Sequence, residues 1–125
     1  MIWTLSQVAL GGAIGASARY ATGIGVVRMV GHGFPLAIIT VNVLGSFLMG
    51  VFVVAAANRG LTHLSPFIMT GILGGFTTFS AFSLETVSLF ERGQTVQAGL
   101  YVGISVILSI AGLIAGMWLA RGIFA

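Results

Sequence analysis

The stretch Gly71-Ile72-Leu73-Gly74-Gly75-Phe76-Thr77-Thr78-Phe79-Ser80 decides how the chain is read. It lies near the middle of an apolar run long enough to cross a bilayer. Three glycines and two adjacent threonines weaken helix there, glycine through backbone entropy and threonine through stiffness at its first side-chain torsion. An interruption at that depth frees carbonyls and amides inside hydrocarbon. It survives only where protein or a polar cavity covers it. Transport proteins commonly hold ions at such midplane interruptions. A second reading stays open: glycine also lets helix backbones approach, which would make the stretch a packing face.

Composition puts the rest of the chain in the same setting. Of 125 residues, 58% are hydrophobic and 6% charged, against about 25% charged in an ordinary soluble domain. We expect a single four-helix transmembrane domain over residues 1–125, in contact with membrane lipid. The absence of cysteine excludes disulfides and thiolate metal sites. Five arginines against two glutamates are too sparse and dispersed for a nucleic-acid surface.

Four charge-poor runs cover residues 3–24, 34–57, 64–90 and 96–119. Each supplies the roughly 20 residues that a spanning helix needs. Charges and turn residues gather between them: Arg28, Gly31, His32, Gly33 and Pro35; Asn58, Arg59, Gly60 and His63; Glu91, Arg92 and Gly93. Pro35 and Pro66 stand where a helix start tolerates proline. Trp3 and Trp118 suit interfacial anchors on one membrane face. Ala16-Ser17-Ala18 resembles a signal cleavage site, but no Lys or Arg precedes it and three spans follow, so no cleavage is expected.

Small residues four apart mark close-packing faces: Gly11 with Gly15, Gly12 with Ala16, Ser46 with Gly50, Gly112 with Gly116. So many faces in a small bundle suggest packing that continues into a second copy. Arginines are nearly balanced between the ends, Arg59 and Arg121 against Arg28 and Arg92 with Arg19 close by. The positive-inside rule then gives little push either way. Such a chain could insert in both orientations and pair head to tail, unless something other than loop charge fixes its orientation.

Several polar residues within the spans are candidates for chemistry. Tyr101, Ser105 and Ser109 fall on one face of the fourth span, either as a hydrogen-bonding track or as interhelical glue. Asn42 is the only amide in the second span and could donate to an anion or brace the glycine-rich stretch. Phe79 and Phe82, three apart, present electropositive ring edges to a dehydrated anion, or simply pack. Arg19 could attract anions to a vestibule or anchor a helix end. Glu85 is an intramembrane carboxylate, or one that reaches water near the membrane edge. His32 and His63 are read as solvated loop residues without metal-ligating company. No nucleophile–base pair, phosphate loop or carboxylate pair is present, so an enzyme is not expected.

Three motifs taken together resemble the Fluc (CrcB) family of small fluoride channels. They are Gly11-Gly12-Ala13-Ile14-Gly15-Ala16-Ser17-Ala18-Arg19-Tyr20, then Val41-Asn42-Val43-Leu44-Gly45-Ser46-Phe47, then residues 71–82. The resemblance covers all four spans in order. It implies an all-α membrane protein with a broken third helix, assembled as an antiparallel, dual-topology homodimer in the bacterial inner (plasma) membrane. It implies passive fluoride export along two pathways, with a structural sodium ion at the dimer centre. The carbonyls of Gly74 and Thr77 would hold the sodium. Asn42, Phe79, Ser80, Phe82, Tyr101, Ser105 and Ser109 would line the fluoride pathway, with Arg19 and Glu85 at a vestibule or in support. Ala81 departs from the hydroxyl residue expected in many relatives. A small multidrug exporter is the rival, but residues 1–18 lack the first-helix carboxylate that such exporters use. A membrane assembly protein, with the motifs serving packing alone, is the other.

Overall fold

The computed structural model describes residues 1–31 and 33–124 and is almost entirely helical. Helix α1 spans Ile2–Val30, α2 Leu36–Arg59, α3 Gly74–Phe76, α4 Phe79–Glu91 and α5 Thr95–Phe124. A 3-10 turn, Thr62–Leu64, and a π-helical segment, Pro66–Leu73, lie between α2 and α3. His32, read from sequence as a solvated loop residue, lies outside the described residues.

The helices outrun the apolar stretches because their stops are conformational. Gly31, Gly60 and Gly93 have φ of 80°, 67° and 80°. Only glycine takes that left-handed region without steric penalty, so a helix stops there whatever its hydropathy.

Among the described residues, Leu36–Arg59, Pro66–Glu91 and Thr95–Phe124 are long and apolar enough to cross a membrane. The sequence suggested four such spans. Helix α1 is long enough, at 29 residues, but Arg19 sits near its middle, and Ser6, Gln7 and Ser17 dilute the rest.

Two backbone-close pairings organise the bundle. Helix α1 lies against the π-helical segment and α3. A methyl added at Gly11 would strike the Phe67 carbonyl, and one at Gly15 the Ile72 carbonyl. Helix α2 lies against α5, where Gly50 meets Leu113 and Gly116 meets Phe47. The small-residue faces that suggested a second copy are therefore largely consumed inside the chain. The core proper is small: Ile39, Phe82, Leu89, Ala98 and Tyr101, flanked by Phe34, Ile38 and Val43. Large apolar side chains face outward elsewhere, among them Leu84, Ile107 and Ile114. Water would not tolerate so extensive an apolar exterior, whereas hydrocarbon does.

Candidate functional site

The site is built around two residues that leave helical geometry. Thr77 (φ −86°, ψ 159°) and Thr78 (φ −153°, ψ 118°) are extended between α3 and α4. Three sets of contacts satisfy part of the backbone this releases. Asn42, on α2, donates from Nδ2 to the Thr78 carbonyl at 3.0 Å. Its Oδ1 accepts the Thr78 N–H at 2.7 Å. The Thr78 hydroxyl caps α4 by accepting the Ala81 N–H at 3.1 Å. On the opposite side, Arg19 donates from Nε to the Gly75 carbonyl at 3.1 Å.

These contacts redirect donors in a specific way. In an α-helix the carbonyl of Gly74 would accept from Thr78 N–H, and that of Thr77 from Ala81 N–H. Both donors are engaged elsewhere, by Asn42 and by the Thr78 hydroxyl. Gly74 and Thr77 are thus two of the carbonyls that lose their usual partners at the interruption, beside those of Gly75, taken by Arg19, and Phe76. Gly74 is also exposed at the surface of the chain.

A groove of about 390 Å³ opens beside the interruption. Asn42, Thr77, Phe79, Phe82, Ser105 and Ser109 are among its lining residues. Among the described residues its lining holds an amide, hydroxyls and two aromatic rings but no charged side chain. The Phe79 and Phe82 rings stand 5.4 Å apart at 50°. Phe82 is buried, whereas Phe79 is 78% exposed. Ser105 Oγ is buried and has no hydrogen-bond partner. The same is true of the Tyr101 hydroxyl, which lies behind Phe82 rather than in the groove wall.

Not every residue singled out from sequence comes to this groove. Ser80 is exposed, and its hydroxyl lies 3.2 Å from that of Thr78. Arg19 is committed to Gly75. Glu85 lines a separate cavity near Arg92. His63 is exposed in the 3-10 turn. Thr78 and Phe34 were not anticipated. A threonine three residues before Ala81 is an ordinary N-cap signal, so Thr78 was legible. Nothing local marks Phe34.

Fold and groove together define a small, almost entirely helical membrane protein with an uncharged, mainly apolar cleft that carries an amide and several hydroxyls at an extended point in a span. Residues 6–117 match the model of the CrcB-like family, described as "CrcB-like protein, Camphor Resistance (CrcB)". The chain belongs to the CrcB family. A relative from Roseobacter denitrificans, named fluoride-specific ion channel FluC, is 68% identical over 97% of this chain and 98% of its own length. A protein of the same name from Ruegeria sp. is 65% identical over 98% of each. Another, from Jannaschia sp., is 74% identical over 80% of this chain and 100% of its own length.

Proposed function

We propose that the chain is a fluoride channel, formed by two oppositely oriented copies in the bacterial inner membrane, through which fluoride leaves the cell passively. The carrying observation is the groove. Fluoride entering it exchanges water for hydroxyl and amide donors and for the edges of Phe79 and Phe82. Asn42 supports this role because only one of its two N–H donors is spent on Thr78. With no fixed charge in the groove, a small anion is neither repelled nor trapped.

Lipid exposure favours a second copy in this reading. The groove opens on the side of the chain, and polar backbone facing lipid is costly. An inverted partner would cover it together with the exposed Phe79 ring, and the near balance of arginines at the two ends permits both orientations. We propose further that a sodium ion sits at that junction, held by the Gly74 and Thr77 carbonyls of each copy. The fit is chemical: a hard cation prefers neutral oxygen ligands, and these are two carbonyls whose helical donors are diverted. Such an ion would supply positive potential beside the pathway. The arrangement calls for no catalytic group, so we read the protein as a channel and not an enzyme.

The test is fluoride efflux from liposomes containing the purified chain, with chloride efflux and a proton-linked dye as controls. Rapid fluoride loss without chloride loss or proton counter-transport is expected. No efflux above empty liposomes overturns the reading.

A further inference from the structure

One end of the bundle gathers cations and aromatic rings that the groove does not use. Helices α2 and α5 run parallel, with Val43 beside Gly112 and Phe47 beside Gly116, so their last turns come together. There the Arg59 guanidinium lies over the Phe124 ring, 5.2 Å from its centre. Arg121 stands three positions before Phe124 on α5, and Trp118 three before Arg121, so each neighbours the next on the helix surface. Both arginines are exposed, and Trp118 is 76% exposed. Helix α1 starts at the same end, because it runs parallel to Pro66–Leu73: its Gly11 meets Phe67 and its Gly15 meets Ile72. Its Trp3 is 74% exposed. Both tryptophans of the chain therefore stand where hydrocarbon gives way to headgroups.

Helix capping does not account for the charge gathered here. Arg59 and Arg121 are in the last turns of α2 and α5. A helix carbonyl end presents only about half an elementary negative charge, so each guanidinium exceeds what its own helix offers. No acidic side chain shares this end. The chain has two glutamates, Glu85 and Glu91, and both lie on α4, which leads away from it. Ala125 lies outside the described residues, and a terminal carboxylate there offsets at most one of the two guanidinium charges.

We propose that this end binds the headgroup of an anionic phospholipid of the phosphatidylglycerol kind. The two guanidinium groups make charge-assisted hydrogen bonds to its phosphate oxygens. The Phe124 ring already holds Arg59, so less side-chain freedom is lost when the phosphate arrives. A choline headgroup presents the same phosphate but brings its own ammonium, which the arginines repel. A glycerol headgroup brings hydroxyls instead. The site is separate from the groove and does not depend on conduction.

Trp3→Phe leaves Trp118, three residues from Arg121, as the single tryptophan. This full-length variant is reconstituted in phosphatidylcholine vesicles in which part of the lipid is replaced by phosphatidylglycerol with brominated acyl chains, or by brominated phosphatidylcholine. Bromine quenches an indole that it touches, so the two series give the relative association of each lipid with Trp118. A preference of roughly tenfold for phosphatidylglycerol is expected at low salt, falling toward unity as salt screens the charges. Arg59→Gln with Arg121→Gln should abolish the preference, and Arg121→Gln alone should lower it roughly threefold. Arg28→Gln with Arg92→Gln, at the opposite end, should leave it unchanged. Equal quenching by the two brominated lipids overturns the proposal. So does a preference that survives Arg59→Gln with Arg121→Gln, or one that disappears in Arg28→Gln with Arg92→Gln. If the first pair does not fold, Arg121→Gln decides, because that side chain is exposed: an undiminished preference there overturns the proposal.

Discussion

Asn42 and Thr78 pair reciprocally, amide to backbone, with both the N–H and the C=O of Thr78 engaged by one side chain at 2.7 and 3.0 Å. This is the hydrogen-bond pattern of two paired strands, reproduced by a single amide in the middle of a helical bundle. It holds the extended residues in place and diverts the donor that Gly74 would otherwise receive. Asn42→Ala leaves both Thr78 groups stranded, at about 1–3 kcal/mol each. Thermal unfolding in detergent should show that loss, and fluoride efflux should collapse with it. Asn42→Asp separates the two roles. A carboxylate can still accept the Thr78 N–H but cannot donate to its carbonyl, and it puts negative charge beside an anion path. Efflux close to wild type in Asn42→Asp would rule out the proposed pathway.

The two groove rings should respond differently. Phe79 is exposed and makes little contribution to the core, so Phe79→Ile should lower fluoride efflux without lowering stability. Phe82 is buried against Tyr101, so Phe82→Ile should lower both. Loss of packing there costs on the order of 1 kcal/mol. Unchanged efflux in both variants removes the ring edges from the mechanism.

Glycines on paired faces should behave unlike glycines in open space. Gly15→Ala and Gly116→Ala drive a methyl into the carbonyls of Ile72 and Phe47, which are backbone and cannot rotate away. Each should destabilise by about 1–3 kcal/mol or prevent folding. Gly23→Ala and Gly103→Ala meet nothing within 4 Å and should stabilise their helices by up to about 1 kcal/mol. Comparing melting temperatures of the four variants in one detergent checks the pairing of α1 with the π-helical segment and of α2 with α5.

The α4 cap makes a finer prediction. Thr78→Val keeps shape and β-branching but removes the hydroxyl that accepts Ala81 N–H. It should cost about 1 kcal/mol, and Thr78→Ser should recover most of it. Equal melting temperatures for the two variants would show that the cap contributes nothing.

How much of this was legible depends on whether a signal is local. Helical runs, glycine stops and the weak stretch at 71–80 are local, and the sequence displayed them. The Thr77 and Thr78 dihedrals sit where that stretch is weakest. Partnerships across the chain were not legible. Gly112 and Gly116 look the same whether they face α2 or another copy, since spacing records a face and not its occupant. Asn42 could have bonded an anion or the backbone, and only geometry shows that one of its donors and its oxygen go to Thr78. Phe34 had no mark at all, because its significance comes from Tyr101, 67 positions further along.

The pairing of α1 with residues 66–76 and of α2 with α5 bears on biosynthesis. Neither principal pair joins helices that leave the ribosome one after the other. The glycine stripe of α1 waits for the third apolar segment, and that of α2 waits for the last. Until synthesis ends, lipid must cover surfaces shaped for backbone. Truncation anywhere before α5 should therefore leave α2 without its mate, and quality-control proteases, rather than a half-built pore, should be its fate.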